Sequence, residues 1–155
     1  GLIDAMWWCI EQGCEVLSNS WGGGGQSAQW EREFQKMADA GVWLIFAGGN
    51  SGPNTPDTDW PGRSPTLINV AALNSDLSPA SFSSAGAKID TAGPGVGIWS
   101  ARAGGGYQQM SGTSMATPFV AGVLGLYRAN LKALGRPVPK NPALRAMLFS
   151  DSTDT

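Results

Sequence analysis

Histidine is absent from all 155 residues. The side chain that most often takes the proton from a nucleophilic serine is therefore not in the chain, and any serine nucleophile here needs a base of another kind or from elsewhere. Cysteine is nearly absent as well. Cys9 and Cys14 are the only two, too few for a disulfide framework or a zinc site, and they read as small buried hydrophobes rather than as a local disulfide. Charge is scarce: charged residues make up 14% of the chain, the net charge is −2, and no basic cluster occurs. That excludes the electrostatic footprint of nucleic-acid or anionic-membrane binding. No apolar run approaches the roughly 18 residues that span a bilayer, and the N-terminus lacks the charged-then-apolar order of a secretion signal. A soluble chain is expected.

What is present is apolar and glycine-rich. Hydrophobic residues reach 42% and glycines number 22, a composition that buries a core, in a length that fits a single domain over residues 1–155. The chain opens on "GLIDAMWW", without an initiator Met and already at helical spacing, so further sequence is expected upstream; methionine removal before Gly is the alternative.

Apolar residues at Leu2, Ile3, Met6, Trp7 and Ile10 predict a helix over 2–12, ended by Gly13. "CEVLSNS" reads as a short strand that runs into "WGGGG". Trp30, Phe34, Met37 and Ala38 share one face of a second helix over 26–40, and "VWLIFAGGN" is a buried strand breaking into glycines. Residues 51–65, rich in Gly, Pro, Asn and Asp, read as a long surface loop. "TLINVAAL" is a third strand, and "SPASFSSAG" a further loop. "AKIDTAGPG" and "GIWSAR" read as short strands divided by a turn at Gly93-Pro94-Gly95. A long helix runs from Ser114 to about Leu131, with Pro118 in its first turn, where a missing N–H does least harm. A last helix over 142–148 follows Asn141 as its N-cap. Helix, strand, glycine loop, repeated, predicts an α/β fold: a parallel sheet between two layers of helices.

In such a sheet the chemistry gathers at the carboxyl ends of the strands. Three features fall there: "SWGGGG", "AGGNSG", and Ser114 at the head of the long helix. Singly, each has a plain structural reading as a turn or an N-cap. Together they resemble the subtilisin-like serine peptidases. "SGTSMATPFVAG" is similar to that family's serine signature, "GVWLIFAGGNSG" to its oxyanion-asparagine segment and "EVLSNSWGG" to one wall of its substrate cleft; "WPGRSPTLINVAAL" and "ASFSSAGAKIDTAGPGV" follow in family order. The resemblance covers essentially the whole chain.

The resemblance implies that Ser114 is the nucleophile and Asn50 the side-chain donor of an oxyanion hole. It implies that Ser20, Trp21 and Gly22 form one rim of a peptide-binding cleft and Ala47, Gly48 and Gly49 the other. Trp21, Trp30 and Leu2 then lie near a subsite for a large apolar side chain, or are ordinary core aromatics. Trp60-Pro61 falls where the family carries a cis proline. The family often binds calcium, for which Asp90 and the loop from Gly52 to Gly62, with Asp57 and Asp59, are the candidates; a solvated loop is the alternative. The parent enzyme is expected outside the cell.

The family's triad runs Asp, His, Ser, and its first two members belong to segments upstream of Gly1. Phe119 stands where the signature commonly has a non-catalytic histidine. Three readings remain open. The chain is the serine-bearing C-terminal part of a subtilisin-like endopeptidase whose Asp and His come from upstream sequence or a partner chain. It belongs to a related group that uses Glu and Asp, against which Asn50 argues, since that group carries an aspartate there. Or it is a non-catalytic remnant that binds peptide or serves as a structural subunit. The incomplete sheet is also expected to present an open edge to a partner.

Overall fold

The structure is a computed structural model that describes residues 1–54 and 60–150, without the side chains of 149 and 150. Its elements in chain order are α1 (Leu2–Glu11), β1 (Val16–Asn19), α2 (Ala28–Asp39), β2 (Trp43–Ala47), β3 (Ile68–Leu73), β4 (Thr91–Pro94), β5 (Ile98–Ala101), β6 (Tyr107–Met110), α3 (Thr113–Ala133) and α4 (Asn141–Ser150). β1 to β4 form one parallel sheet in sequence order, and β5 and β6 a separate antiparallel hairpin.

Alternation along the strands sorts the core into two layers. Trp43, Ile45, Ile68, Val70 and Ala72 face α3, where Ala116, Val120, Ala121 and Leu124 close over them together with Leu144 of α4. Leu17, Leu44, Phe46 and Leu67 face the opposite side, against Met6 of α1, Phe34 and Met37 of α2, and Trp60. The central strands β2 and β3 are covered on both faces, which is why they read as unbroken apolar runs. The expected three-layer α/β architecture is what forms.

Several local expectations change. Cys14, beyond the end of α1, is exposed, and Cys9, in its last turn, is half-buried against the core. Gly93 and Pro94 do not make a turn: they are the end of β4, paired with Ala72 and Leu73. Pro94 is tolerated there because β4 is an edge strand, with no neighbour on its far side among the described residues to receive an N–H. Asn141 does not cap α4. It lies inside the helix, wholly buried, and its Nδ2 donates to the Thr66 carbonyl at 3.2 Å, while Leu144 N reaches back to Lys140 O. Within the 51–65 loop, Trp60, Pro61, Gly62 and Ser64 are buried rather than solvated, and the Trp60-Pro61 bond is cis. The α2 cap is Ser27, whose hydroxyl accepts from Trp30 N, so the helix starts two residues later than its pattern predicts.

Candidate functional site

The parallel strands all deliver their carboxyl ends to one rim of the sheet, where β1 runs out through Ser20 to Gly23, and β2 through Gly48 to Ser51. Between these two segments lies a cleft of about 320 Å³, lined by Ser20, Trp21, Gly22, Gly23, Ala47, Gly49, Asn50, Ser51, Thr113 and Ser114. No charged side chain is among them. Seven of the eight residues singled out from sequence are in this lining. The eighth, Gly48, is buried, and a Cβ built on it would sit 2.6 Å from Ile89 Cδ1 and 3.0 Å from Val70 O, so only its backbone can serve the rim.

Ser114 is in the first turn of α3, half-buried, with the positive end of the helix dipole around it. It is tied to the opposite rim by a reciprocal pair: Ser20 Oγ donates to the Ser114 carbonyl at 2.8 Å, and Ser114 Oγ donates to the Ser20 carbonyl at 3.4 Å. The second contact is long for a hydroxyl bond and leaves the Ser114 hydroxyl weakly held.

Asn50 is oriented by a residue that sequence reasoning passed over. Thr113 N donates to Asn50 Oδ1 at 2.9 Å and Thr113 Oγ1 donates to the same oxygen at 3.1 Å, while Thr113 Oγ1 accepts from Gly49 N at 3.2 Å. Thr113 is itself buried, and its carbonyl accepts from Thr117 Oγ1 at 2.7 Å. With Oδ1 doubly engaged, the amide cannot flip without losing both bonds, and Nδ2 is its unspent end. Nδ2 has no partner among the described residues.

Gly112 shows where that end points. A Cβ built on it would lie 3.6 Å from Asn50 Nδ2 and 3.7 Å from Ser114 N. Two nitrogen donors therefore flank one small space beside the Ser114 hydroxyl, and the missing side chain of Gly112 keeps it open. Thr113 and Gly112 carried no signal of their own in the sequence beyond adjacency to Ser114, because both act across the cleft on partners more than sixty residues away.

Trp21 forms one wall of the cleft and also belongs to an aromatic cluster. It meets Trp30 edge-on at 5.5 Å and Phe46 at 5.0 Å, and its Nε1 donates to Asn19 Oδ1 at 3.1 Å. Behind it, a second hollow of about 210 Å³ is lined by Leu2, Met6, Cys9, Leu17 and Trp21 among others. Trp30 is not in that lining and contributes by packing. Cleft wall and core aromatic are thus one and the same residue in Trp21.

Both oxygens of Asp90 are already engaged: Oδ2 accepts from Asn69 N at 2.8 Å, and Oδ1 from Arg145 Nε at 2.8 Å. Burial pushes its carboxyl above the ordinary carboxylate value, a rise opposed by the Asn69 amide and by Arg145. Asp57 and Asp59 lie outside the described residues. Among those described, no group of three or more His, Cys, Asp or Glu could hold a metal ion, and no helix is long and apolar enough to cross a membrane.

The comparisons with known proteins bear on the family and the fold. The model of the subtilase family matches residues 2–154. Subtilisin E of Bacillus subtilis (strain 168) is 36% identical over 154 residues, 98% of this chain and 39% of its own length. Subtilisin of Bacillus pumilus is also 36% identical over 154 residues, 54% of its own length. The chain thus spans about half the length of the curated relatives it matches. Among solved structures, the self-cleaved protease domain of PatA superposes with a TM-score of 0.86 at 26% identity, over 98% of this chain and 59% of that one. The prenylagaramide maturation protease PagA gives 0.84 at 29% identity, over 98% and 56%. A match that runs nearly end to end, over a parallel sheet whose rim holds the serine and asparagine segments together, places the chain in the subtilase family of serine proteases.

Proposed function

We propose that these residues supply the nucleophile and the oxyanion hole of a serine endopeptidase, and that its aspartate and histidine come from outside them, from upstream sequence or a partner chain. The observation that carries this reading is the orientation of Asn50. Thr113 holds Oδ1 with two donors, so Nδ2 faces the space that Ser114 N also borders. Two preorganised donors beside a hydroxyl, in a cleft without charged side chains, are what a developing oxyanion requires.

In the proposed reaction an extended peptide lies between the Ser20–Gly22 rim and the Ala47–Gly49 rim, its backbone pairing with theirs. Ser114 Oγ attacks the scissile carbonyl carbon, and its proton passes to the supplied histidine. The C=O π pair moves onto oxygen, where Asn50 Nδ2 and Ser114 N stabilise it. The histidine then hands the proton to the leaving amine as the C–N bond breaks, and water hydrolyses the acyl-serine by the same route. Calcium is given no step: Asp90, the one candidate carboxylate among the described residues, has both oxygens engaged. The place of action is outside the cell, a reading supported by the subtilisins the chain resembles.

A specific observation favours the second reading, a non-catalytic peptide-binding or structural subunit, for the chain on its own. The sequence has no histidine, and among the described residues the acceptor for the Ser114 proton is the Ser20 carbonyl, which is no base. A fluorophosphonate probe separates the two readings. The chain alone is expected to stay unlabelled, and to be labelled at Ser114 once combined with a polypeptide bearing an aspartate in D-x-G and a histidine in H-G-T context. Rapid labelling of the chain alone would overturn the need for an outside base; no labelling in the combination would leave the binding role.

A further inference from the structure

Three helices of this fold end in the same way. After α2 the chain passes through Gly41 at φ 87°, with Gly41 N bonded to Ala38 O at 2.9 Å and Val42 N to Met37 O at 3.1 Å. After α3 it passes through Gly135, with Gly135 N on Lys132 O and Arg136 N on Leu131 O. After α1 it passes through Gly13 at φ 87°, with Gly13 N on Ile10 O at 2.9 Å and Cys14 N on Cys9 O at 3.0 Å. Each is a glycine-centred stop in which the residue after the glycine bonds back to the carbonyl five positions earlier, a motif frequently accompanied by contact between those two side chains. In α2 they are Met37 and Val42, and both are buried in the same hydrophobic cluster. In α1 the equivalent pair is Cys9 and Cys14.

We propose that Cys9 and Cys14 are a redox pair that closes to an intramolecular disulfide, stapling the end of α1 to the approach to β1. The positions are those at which Met37 and Val42 pack together, and a disulfide needs its two Cα atoms only within about 4.4–6.8 Å. Cys14 is exposed and Cys9 half-buried, so the chemistry has an order. With a small disulfide such as oxidised glutathione as the oxidant, the Cys14 thiolate attacks one glutathione sulfur and releases a first glutathione thiolate. The Cys9 thiolate then attacks the Cys14 sulfur of the mixed disulfide and releases the second. Two cysteine thiols are oxidised, one glutathione disulfide is reduced to two thiols, and the two protons move from the cysteines to glutathione. Cys9 also lines the hollow behind Trp21, so closure fixes one wall of that hollow.

The test titrates the reduced protein with oxidised glutathione and reads intact mass, then maps the peptide containing residues 9 and 14. The expected product is lighter by two hydrogens, with Cys9 linked to Cys14 and no glutathione retained. Cys9→Ser is expected to stop at a stable glutathione adduct on Cys14, showing that Cys9 is the resolving thiol. This variant changes one sulfur to oxygen at a half-buried position beside the core, and circular dichroism confirms that it folds. Persistent glutathionylation of Cys14 in the wild-type protein, or dimers linked through Cys14, would overturn the proposal. Neither result depends on peptidase activity.

Discussion

At the scale of the residue, the site rests on how Thr113 spends its donors. Its N–H and hydroxyl both go to Asn50 Oδ1, so the asparagine amide is fixed before any substrate arrives, and no reorganisation is needed when charge develops. In the assembled protease, Asn50→Ala is expected to lower kcat by about 10²–10³-fold with KM little changed, a magnitude taken from the equivalent donor of a subtilisin; steady-state kinetics on a peptide substrate reads it. Gly112→Ala makes a sharper test. The added methyl meets only ordinary contacts, but φ of 159° is a conformation that L side chains rarely adopt, so some stability should be lost, and the methyl, standing beside both donors, should cut kcat by about tenfold or more. A folded variant that keeps its kcat would show that the oxyanion does not sit there. Thr113→Val removes the hydroxyl from a buried position and should cost about 1–2 kcal/mol in denaturant unfolding, with Thr113→Ser restoring most of it.

At the scale of the element, α4 is fastened to the sheet through Asp90, which enters β4. Arg145 of α4 bonds Asp90 and also the Pro65 carbonyl. Because burial raises the Asp90 pKa in the folded chain above the unfolded value of 3.8, the folded state holds this proton more tightly than the unfolded state does. The contribution of Asp90 to stability is therefore fully present below pH 3.8 and is lost as pH rises through the raised folded value. Unfolding free energies measured as a function of pH should show that falling component in the wild-type protein and not in Asp90→Asn. Glu15 works in the opposite sense: Lys132 and Arg128 hold its carboxyl below the ordinary value, so its contribution is lost as pH falls. Its side chain is 44% exposed, and solvent keeps that contribution small. Close backbone approach is a second element-level constraint. A Cβ on Gly95 would lie 2.6 Å from Ala72 Cβ and 2.9 Å from Gly112 O, so Gly95→Ala should destabilise by about 1–3 kcal/mol and displace the segment leading to Ser114.

At the scale of the whole molecule, the sheet ends on strands unpaired on their outer side, β1 and β4, among the described residues. β1 pairs only with β2 among the described residues, and Phe119, Val123 and Leu126 on one side of α3 are 53%, 51% and 75% exposed. An unpaired parallel edge and an exposed apolar helical stripe each favour association. The 155-residue chain, prepared alone, is expected to self-associate in light scattering. Phe119→Lys with Leu126→Lys should reduce this association while changing unfolding free energy little, since both side chains are outside the core. A monodisperse, well-folded monomer of the unaltered chain would contradict the expectation.

The elements were legible in the sequence wherever one local cause dominated. Apolar periodicity marks α1, α2 and α3, unbroken apolar runs mark the doubly covered β2 and β3, and glycines mark the helix ends. The resemblance of the "GTSMATP" and "AGGNSG" segments brought Ser114 and Asn50 to one cleft before any coordinates did. The tertiary structure alone decided that Pro94 extends an edge strand, that Asn141 is a buried anchor and not a cap, and that Asp90 is committed to Arg145. It also decided that Thr113 aims Asn50 and that Gly112 leaves room between the two donors. The division has a physical reason. Periodicity and capping act over a few residues and leave their mark in the local order of side chains, whereas a hydrogen bond between Thr113 and Asn50, or a contact between Gly95 and Ala72, depends on segments that meet only when the sheet closes.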